Sequence, residues 1–409
     1  MAEDERTGKF DHLFTKTVRE GIGEAGYGNW RSVSAPDAAS LSFGFPYPDS
    51  FPNDELVAAA EAVFEEEGDT ALQYGGGEYA DHLAEAVAER ARMRNMDPDP
   101  EDNILLTNGS THAIDIVCQT FLEHGDDLFV EAPTFMGALA LFKNYGVEVS
   151  GFPIEEGKGL DVDAVADELA TRREEGGPLP KMFYTIPNFQ NPSGTTLGID
   201  RREQLLDLAE EYDFVILEDD AYGELRYYGE DVDPLRALDD SGRVIRVSTF
   251  SKTICPGVRT GWIIADNEIY EQLRRMSGGG TNTFTQSVLG RYCEEGLLDK
   301  NIQTFKQAYK DRRDHMLECL EEYMPETADW TEPDGGFFVW VTLPEGIDAE
   351  EMLPTAAEEG VTYLAGHRFY PDDQGRNCLR LSFSHVSFDE MERGIEALGT
   401  ATRSMMAEA

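Results

Sequence analysis

From Asn103 to Ile264 the chain repeats one unit: a short apolar run, a turn cluster or an amphipathic stretch, then another apolar run. The runs are Ile104-Leu105-Leu106, Leu128-Phe129-Val130, Val147-Glu148-Val149, Met182-Phe183-Tyr184, Phe214-Val215-Ile216-Leu217, Val244-Ile245 and Trp262-Ile263-Ile264. Strands that alternate with helical patterns pair side by side in the same direction, with the connecting helices covering both faces. The expectation is an α/β fold with a mostly parallel central sheet and helices on both faces. Neither an internal repeat nor a low-complexity segment interrupts the pattern.

After Glu294 the pattern changes. A helical stretch from Asn301 to Tyr323 precedes a strand over Gly335 to Val341, a helix over Ala349 to Glu359, and strands near Val361 to Leu364 and Leu379 to Phe383. The last helix opens on Ser387-Phe388-Asp389-Glu390, a capping box in which Ser387 and Glu390 satisfy each other's backbone N–H groups. These elements predict a smaller α+β domain. The expected division is 1–50 as an N-terminal arm with part of the small domain, 51–295 as the large domain and 296–409 as the C-terminal small domain. The first forty residues read as an arm plus a short helix.

Composition restricts the partners. The 80 acidic residues against 34 lysines and arginines give a net charge of -46, which repels nucleic acid and anionic membranes. With 41% hydrophobic residues the chain still has enough apolar surface for a core, so the acidity reads as a solvated coat suited to a high-salt cytoplasm. The N-terminus lacks a signal-peptide pattern, and no apolar run is long enough to span a bilayer. Cys118, Cys255, Cys293, Cys319 and Cys378 show no C-x-x-C pair, and neither they nor the histidines, His112 and His367 included, have metal-ligand spacing. No metal site is expected.

The chemistry lies at strand ends, where open parallel sheets bind ligands. Lys252 follows the Val244 strand in Ser248-Thr249-Phe250-Ser251-Lys252-Thr253-Ile254-Cys255-Pro256-Gly257-Val258-Arg259-Thr260-Gly261-Trp262. An amine there, flanked by hydroxyls and trailed by an arginine, suits a Schiff base with an aldehyde that also carries a phosphate; Thr249, Ser251 and Arg259 would donate to that phosphate. Gly109-Ser110-Thr111 opens a helix after the Ile104 strand, either as an N-cap or as an anion site for the same phosphate. Asn191-Pro192-Ser193-Gly194 after the Met182 strand also suits a plain β-turn. Glu218-Asp219-Asp220-Ala221-Tyr222 ends the Phe214 strand. Phe135 fits a core position or a stacking one. Arg380 interrupts the apolar strand Cys378-Leu379-Arg380-Leu381-Ser382-Phe383, so it must hold an internal salt bridge or a ligand.

The lysine segment resembles that of the fold-type I pyridoxal-phosphate aminotransferases, the class I/II family, and the resemblance extends from Leu41 to Leu398. It is closest to the aminoadipate/kynurenine-like subgroup shared with the effector domains of MocR-type regulators. The resemblance implies pyridoxal phosphate on Lys252, Asp219 rather than Asp220 on the pyridine nitrogen, and Tyr222 and Asn191 on the ring oxygen. It also implies Phe135 on the ring face and Arg380 gripping the substrate α-carboxylate. Gly44, in Gly44-Phe45-Pro46-Tyr47-Pro48-Asp49-Ser50-Phe51-Pro52, would line the substrate entrance. Tyr74 would reach the cofactor phosphate of a partner in a homodimer. Two positions depart from the family near Tyr74: Tyr79 stands where a glycine is usual, and Leu83-Ala84 where Leu-Arg is.

The implied activity is ping-pong transfer of an amino group from an L-amino acid to a 2-oxo acid, with 2-oxoglutarate expected as acceptor. The alternatives are a lyase or decarboxylase on the same scaffold, or a MocR-like effector domain. The last would need a DNA-binding domain ahead of Leu41, where the forty residues present leave no room for one.

Overall fold

In the computed structural model of the protein, residues 10–15, 38–155, 157–278 and 281–408 are described. Fourteen strands form among them: β1 (Ala39–Ser40), β2 (Ile104–Thr107), β3 (Asp127–Ala132), β4 (Glu148–Glu155), β5 (Gly159–Leu160), β6 (Met182–Thr185), β7 (Val215–Asp219), β8 (Val244–Thr249), β9 (Gly261–Ile264), β10 (Asp329–Trp330), β11 (Phe338–Thr342), β12 (Val361–Thr362), β13 (Leu364–Ala365) and β14 (Cys378–Ser382). Eight of them make one sheet in the order β2-β9-β8-β7-β6-β3-β4-β5. The run β8-β7-β6-β3-β4 is parallel throughout. β9 lies antiparallel between β2 and β8, and β5 folds back on β4.

The period-2 alternation of each strand feeds two separate cores. Leu128, Val130, Met182, Tyr184, Leu217, Ile245 and Val247 pack with the helices Ser110–Phe121 and Met136–Tyr145. Their neighbours Phe129, Phe183, Ile216 and Val244 point the other way and pack with the helices Val162–Glu175 and Ile199–Tyr212. Strands covered on both faces need apolar residues at every position, which is why these segments read as continuous apolar runs.

A second sheet, β10-β11-β14-β13, is antiparallel and packs on the helices Leu297–Tyr323, Ala349–Glu359 and Phe388–Glu408. The helix Ala349–Glu359 has the expected limits, with Asp348 accepting from the N–H groups of Glu350 and Glu351. The Ser387–Glu390 box also forms: Ser387 N donates to Glu390 Oε2 at 2.9 Å, and Glu390 N donates to Ser387 Oγ at 3.3 Å. β1 pairs in parallel with β12, and Ser382 N donates to Leu41 O at 2.8 Å, so residues 39–41 are fastened to this second layer.

Three boundaries differ from expectation. The strand foreseen from Gly335 begins only at Phe338, because Gly336 has a left-handed φ of 70° and a Cβ on Gly335 would strike the Leu225 carbonyl. The stretch 361–364 splits at Tyr363, one half pairing with β1 and the other with β14. The long helix starts at Leu297 rather than Asn301. The expected N-terminal arm and helix fall outside the described residues, apart from a short 3-10 turn at Asp11–Leu13. Among the described residues no helix is long and apolar enough to cross a membrane.

Candidate active site

The carboxyl ends of β2, β6, β7 and β8 open on one cavity of about 550 Å³, closed from the second sheet by Phe338, Leu364 and Arg380. Lys252, Asp219, Tyr222, Asn191, Phe135, Ser110, Thr111, Thr249, Ser251, Arg259, Gly44 and Arg380 all line it. Tyr74 does not; its side chain is fully exposed, away from the cavity of its own chain.

Strand geometry settles which aspartate faces the cavity. Side chains alternate along β7, so Glu218 and Asp220 share one face and Asp219 takes the other. Glu218 and Asp220 both pair with the buried Arg246, and Asp220 also accepts from Asn188 Nδ2 at 3.0 Å. Burial alone would push Asp220 up, yet the charges of Arg246 and Arg94 and the Asn188 hydrogen bond hold it below the usual carboxylate range. Among the described residues no salt bridge reaches Asp219, and Arg246 acts on it only from a distance. Burial raises its carboxyl from 3.8 to about 7, against the pull of a 2.8 Å hydrogen bond from Tyr184 Oη to Oδ2. Its Oδ1 is buried with no hydrogen-bond partner.

Lys252 Nζ donates to the Gly44 carbonyl at 2.8 Å and lies over the rings of Tyr222 and Phe337. Burial, reinforced by the charges of Arg380 and Arg259, lowers its amine to about 8. An amine titrating there is partly unprotonated near neutrality, as a nucleophile or a base must be. Gly44 is tied to this contact, since a Cβ would come within 2.5 Å of the Phe338 ring.

The anion cradle assembles from three segments. Gly109, with φ 85°, precedes the helix Ser110–Phe121, whose first turn has no side-chain cap. A Cβ on Gly109 would meet the Arg259 guanidinium at 2.5 Å, so glycine is what lets that cation approach the helix N-terminus. Thr249 Oγ1 and Ser251 Oγ stand 2.9 Å apart on the third side.

Arg380, buried on β14, donates to Asn191 Oδ1 at 2.7 Å and to the Ser42 carbonyl at 2.6 Å, and stacks over Phe338. Arginine only donates, so the Asn191 oxygen must face it and the amide nitrogen keeps its hydrogens for the cavity. Near Tyr74, Gly75 and Gly76 both take left-handed φ values, so they make the turn; Tyr79 is buried in the helix Glu78–Arg92.

Sequence reasoning missed Tyr184, although a hydroxyl inside the apolar run Met182-Phe183-Tyr184 was a visible signal, since a buried hydroxyl needs a partner. It also missed the apolar walls Phe43, Phe45, Met136, Ile186, Phe338 and Leu364, which carry no signal in one dimension. Among the described residues no cluster suits a metal.

A lowered amine, a buried carboxylate and the Arg259-capped helix N-terminus share one cavity at the carboxyl edge of a parallel sheet, the arrangement expected of a pyridoxal-phosphate enzyme of fold type I. Residues 42–398 match the family of class I and II aminotransferases, and the chain belongs to it. It is 42% identical to aromatic-amino-acid aminotransferase 1 of Thermococcus litoralis, over 91% of this chain and 90% of that one. Its structure is similar to the multiple substrate aminotransferase from Thermococcus profundus (TM-score 0.92, 39% identity, 98% and 100% of the two chains). It is also similar to the Pyrococcus horikoshii kynurenine aminotransferase in complex with PMP (TM-score 0.91, 38% identity, 97% and 98%). The protein is an aminotransferase, and its cofactor is pyridoxal phosphate. Two observations fit that group independently: the unpartnered Asp219 Oδ1 suits a ring N–H donor, and the glycine-lined cradle suits a phosphate.

Keeping Asp219 in so dry a place has a cost that depends on pH. A carboxyl whose folded value lies above its unfolded one stabilises the fold only while protonated, so stability declines as pH rises from about 4 to about 7 and is level above that. In cofactor-stripped protein, Asp219→Asn should therefore gain melting temperature over the parent between about pH 5 and pH 7, with no further gain above. A constant offset across that range would show that Asp219 is ionised throughout.

Proposed function

We propose that Lys252 attaches to the cofactor aldehyde and that the protein moves the amino group of an L-amino acid to a 2-oxo acid, 2-oxoglutarate being the acceptor, by a ping-pong route. The observation that carries this reading is the placement of Lys252 Nζ, the unpartnered Asp219 oxygen and the Arg380 fork around one cavity. Pyridoxal phosphate supplies an aldehyde for amine exchange and a ring that takes up the electron pair released at Cα.

The chain's residues divide the remaining work. Asp219 would accept from the ring nitrogen and keep it protonated. Asn191 and Tyr222 would hold the ring oxygen, Phe135 would cover one ring face, and Ser110, Thr111, Thr249, Ser251 and Arg259 would donate to the phosphate. Arg380 takes the substrate α-carboxylate in a bidentate grip, which fixes the direction of the Cα–H bond. Lys252 Nζ, lowered to about 8, would take the proton from the substrate Cα as general base. Phe43, Phe45, Ile186, Phe338 and Leu364 give the side-chain space an apolar wall, which favours donors with aromatic or large apolar side chains. The names of the relatives, aromatic-amino-acid and kynurenine aminotransferases, support that choice.

The assembly we propose is a cytoplasmic homodimer. Tyr74 is fully exposed, and Phe64, Val57 and Leu72 of the same region are also open to solvent, a surface suited to a second copy whose phosphate Tyr74 would reach. The charge of -46 fits a high-salt interior, where screening relieves self-repulsion.

Lys252→Ala should lower turnover by roughly 10²–10⁴-fold, and borohydride treatment of the parent should leave a phosphopyridoxyl tag on residue 252 by mass spectrometry. Retained turnover, or a tag elsewhere, removes Lys252 from the role. Arg380→Ala should raise KM for the amino donor by about tenfold or more, the loss of a charge-assisted fork, and an unchanged KM argues that the α-carboxylate sits elsewhere. Light scattering and melting across a KCl series should give the mass of two chains at molar salt and a falling melting temperature as salt is withdrawn. A monomer, or salt-independent melting, contradicts the corresponding half of that proposal.

A further inference from the structure

Tyr184 and Asp219 sit on the same face of the neighbouring parallel strands β6 and β7. In the register Tyr184 lies opposite Leu217, so Asp219 is its diagonal neighbour, a separation that only a long side chain spans. Tyr184 is fully buried and its ring meets Phe142 edge-on, with centroids 5.2 Å apart. That packing aims the hydroxyl at Asp219 Oδ2, 2.8 Å away. A phenylalanine would fill the same apolar core. The hydroxyl therefore serves its partner and not the packing, because an oxygen buried there is unfavourable unless hydrogen-bonded.

We propose that Tyr184 is a positioning residue for the transfer reaction: it pins one oxygen of Asp219 so that the other, Oδ1, is the oxygen left to receive the cofactor's ring N–H. The inference rests on the role given to Asp219 above. A carboxylate held at one end cannot rotate away from the ring, and one that accepts a hydrogen bond keeps its charge more readily. Charge is at stake here. Burial and the nearby Asp220 and Glu131 favour protonation of Asp219, while the Tyr184 hydrogen bond and the charge of Arg246 oppose it. Lys252 and Tyr222 share the cavity. A protonated Asp219 would bring no negative charge to the ring N–H, so the hydroxyl acts on both alignment and ionisation. Tyr184 does not line the cavity, so its effect passes through Asp219.

The test compares Tyr184→Phe with Phe142→Leu, which loosens the same packing but keeps the hydroxyl. Cofactor-stripped protein is reloaded with pyridoxal phosphate and its affinity followed by absorbance from about pH 5.5 to pH 8.5; kcat and KM are then measured on the reloaded enzyme. For Tyr184→Phe we expect affinity at neutral pH to weaken about tenfold and the pH below which affinity falls to rise by roughly one unit. kcat should drop about tenfold while KM for the amino donor, set by Arg380, stays within about twofold. Phe142→Leu should leave the pH dependence of cofactor affinity where the parent has it. The proposal is overturned if Tyr184→Phe binds the cofactor as the parent does across the range, or if Phe142→Leu shifts the pH dependence equally. Asp219→Ala separates the two levels: if it binds and turns over like the parent, the role of Asp219 itself fails. A deficit in Asp219→Ala with none in Tyr184→Phe sinks the Tyr184 inference alone.

Discussion

The ion cluster at the end of β7 decides what the rest of the site can do. Arg246 takes the charges of Glu218 and Asp220 on one face of the strand, and the Leu235 and Arg236 N–H groups complete the bonding of Glu218. Asp219, one residue away on the opposite face, accepts from the Tyr184 hydroxyl. Removing one partner of such a cluster leaves a buried charge uncompensated, at a cost of about 3–5 kcal/mol, so the strand end is rigid. An isolated carboxylate facing a dry cavity is possible only on a support of that kind.

The second sheet contributes the opposite charge. Arg380 reaches the cavity because β14 lies between β11 and β13, with Phe338 and Phe369 lying against its guanidinium. Its bonds to Asn191 and to the Ser42 carbonyl tie together three segments far apart in the chain: the loop after β6, the strap leading from β1, and β14 itself. The same strap gives the Gly44 carbonyl to Lys252. One short segment therefore touches both Lys252 and Arg380.

The parallel layout was legible from the chain because strands buried on both faces are apolar at every position, and the segments around Val130, Ile216 and Ile245 have no other stable use. The lysine segment was legible for a different reason: Thr249 ends β8, and Ser251, Lys252 and Arg259 all lie in the short connection from β8 to β9, so the chain itself keeps them near one another. For Tyr184 the sequence showed that a buried hydroxyl needed a partner, but not which one. Its partner is 35 residues away, and only the register of two adjacent strands brings the two groups together. The boundary at Phe338 was misplaced because it depends on Gly335 meeting the Leu225 carbonyl, a contact that no periodicity encodes.

Local chemistry thus determined the class of fold and the grouping of Lys252 with the hydroxyls of Thr249 and Ser251, since each is set by alternation or by neighbours within a few residues. The tertiary structure alone decided that Asp219 is dry and held by one tyrosine, that Arg380 meets Asn191 across the two sheets, and which apolar side chains wall the substrate space. Burial and desolvation are properties of what surrounds a group from every side, and a linear chain specifies only its two neighbours.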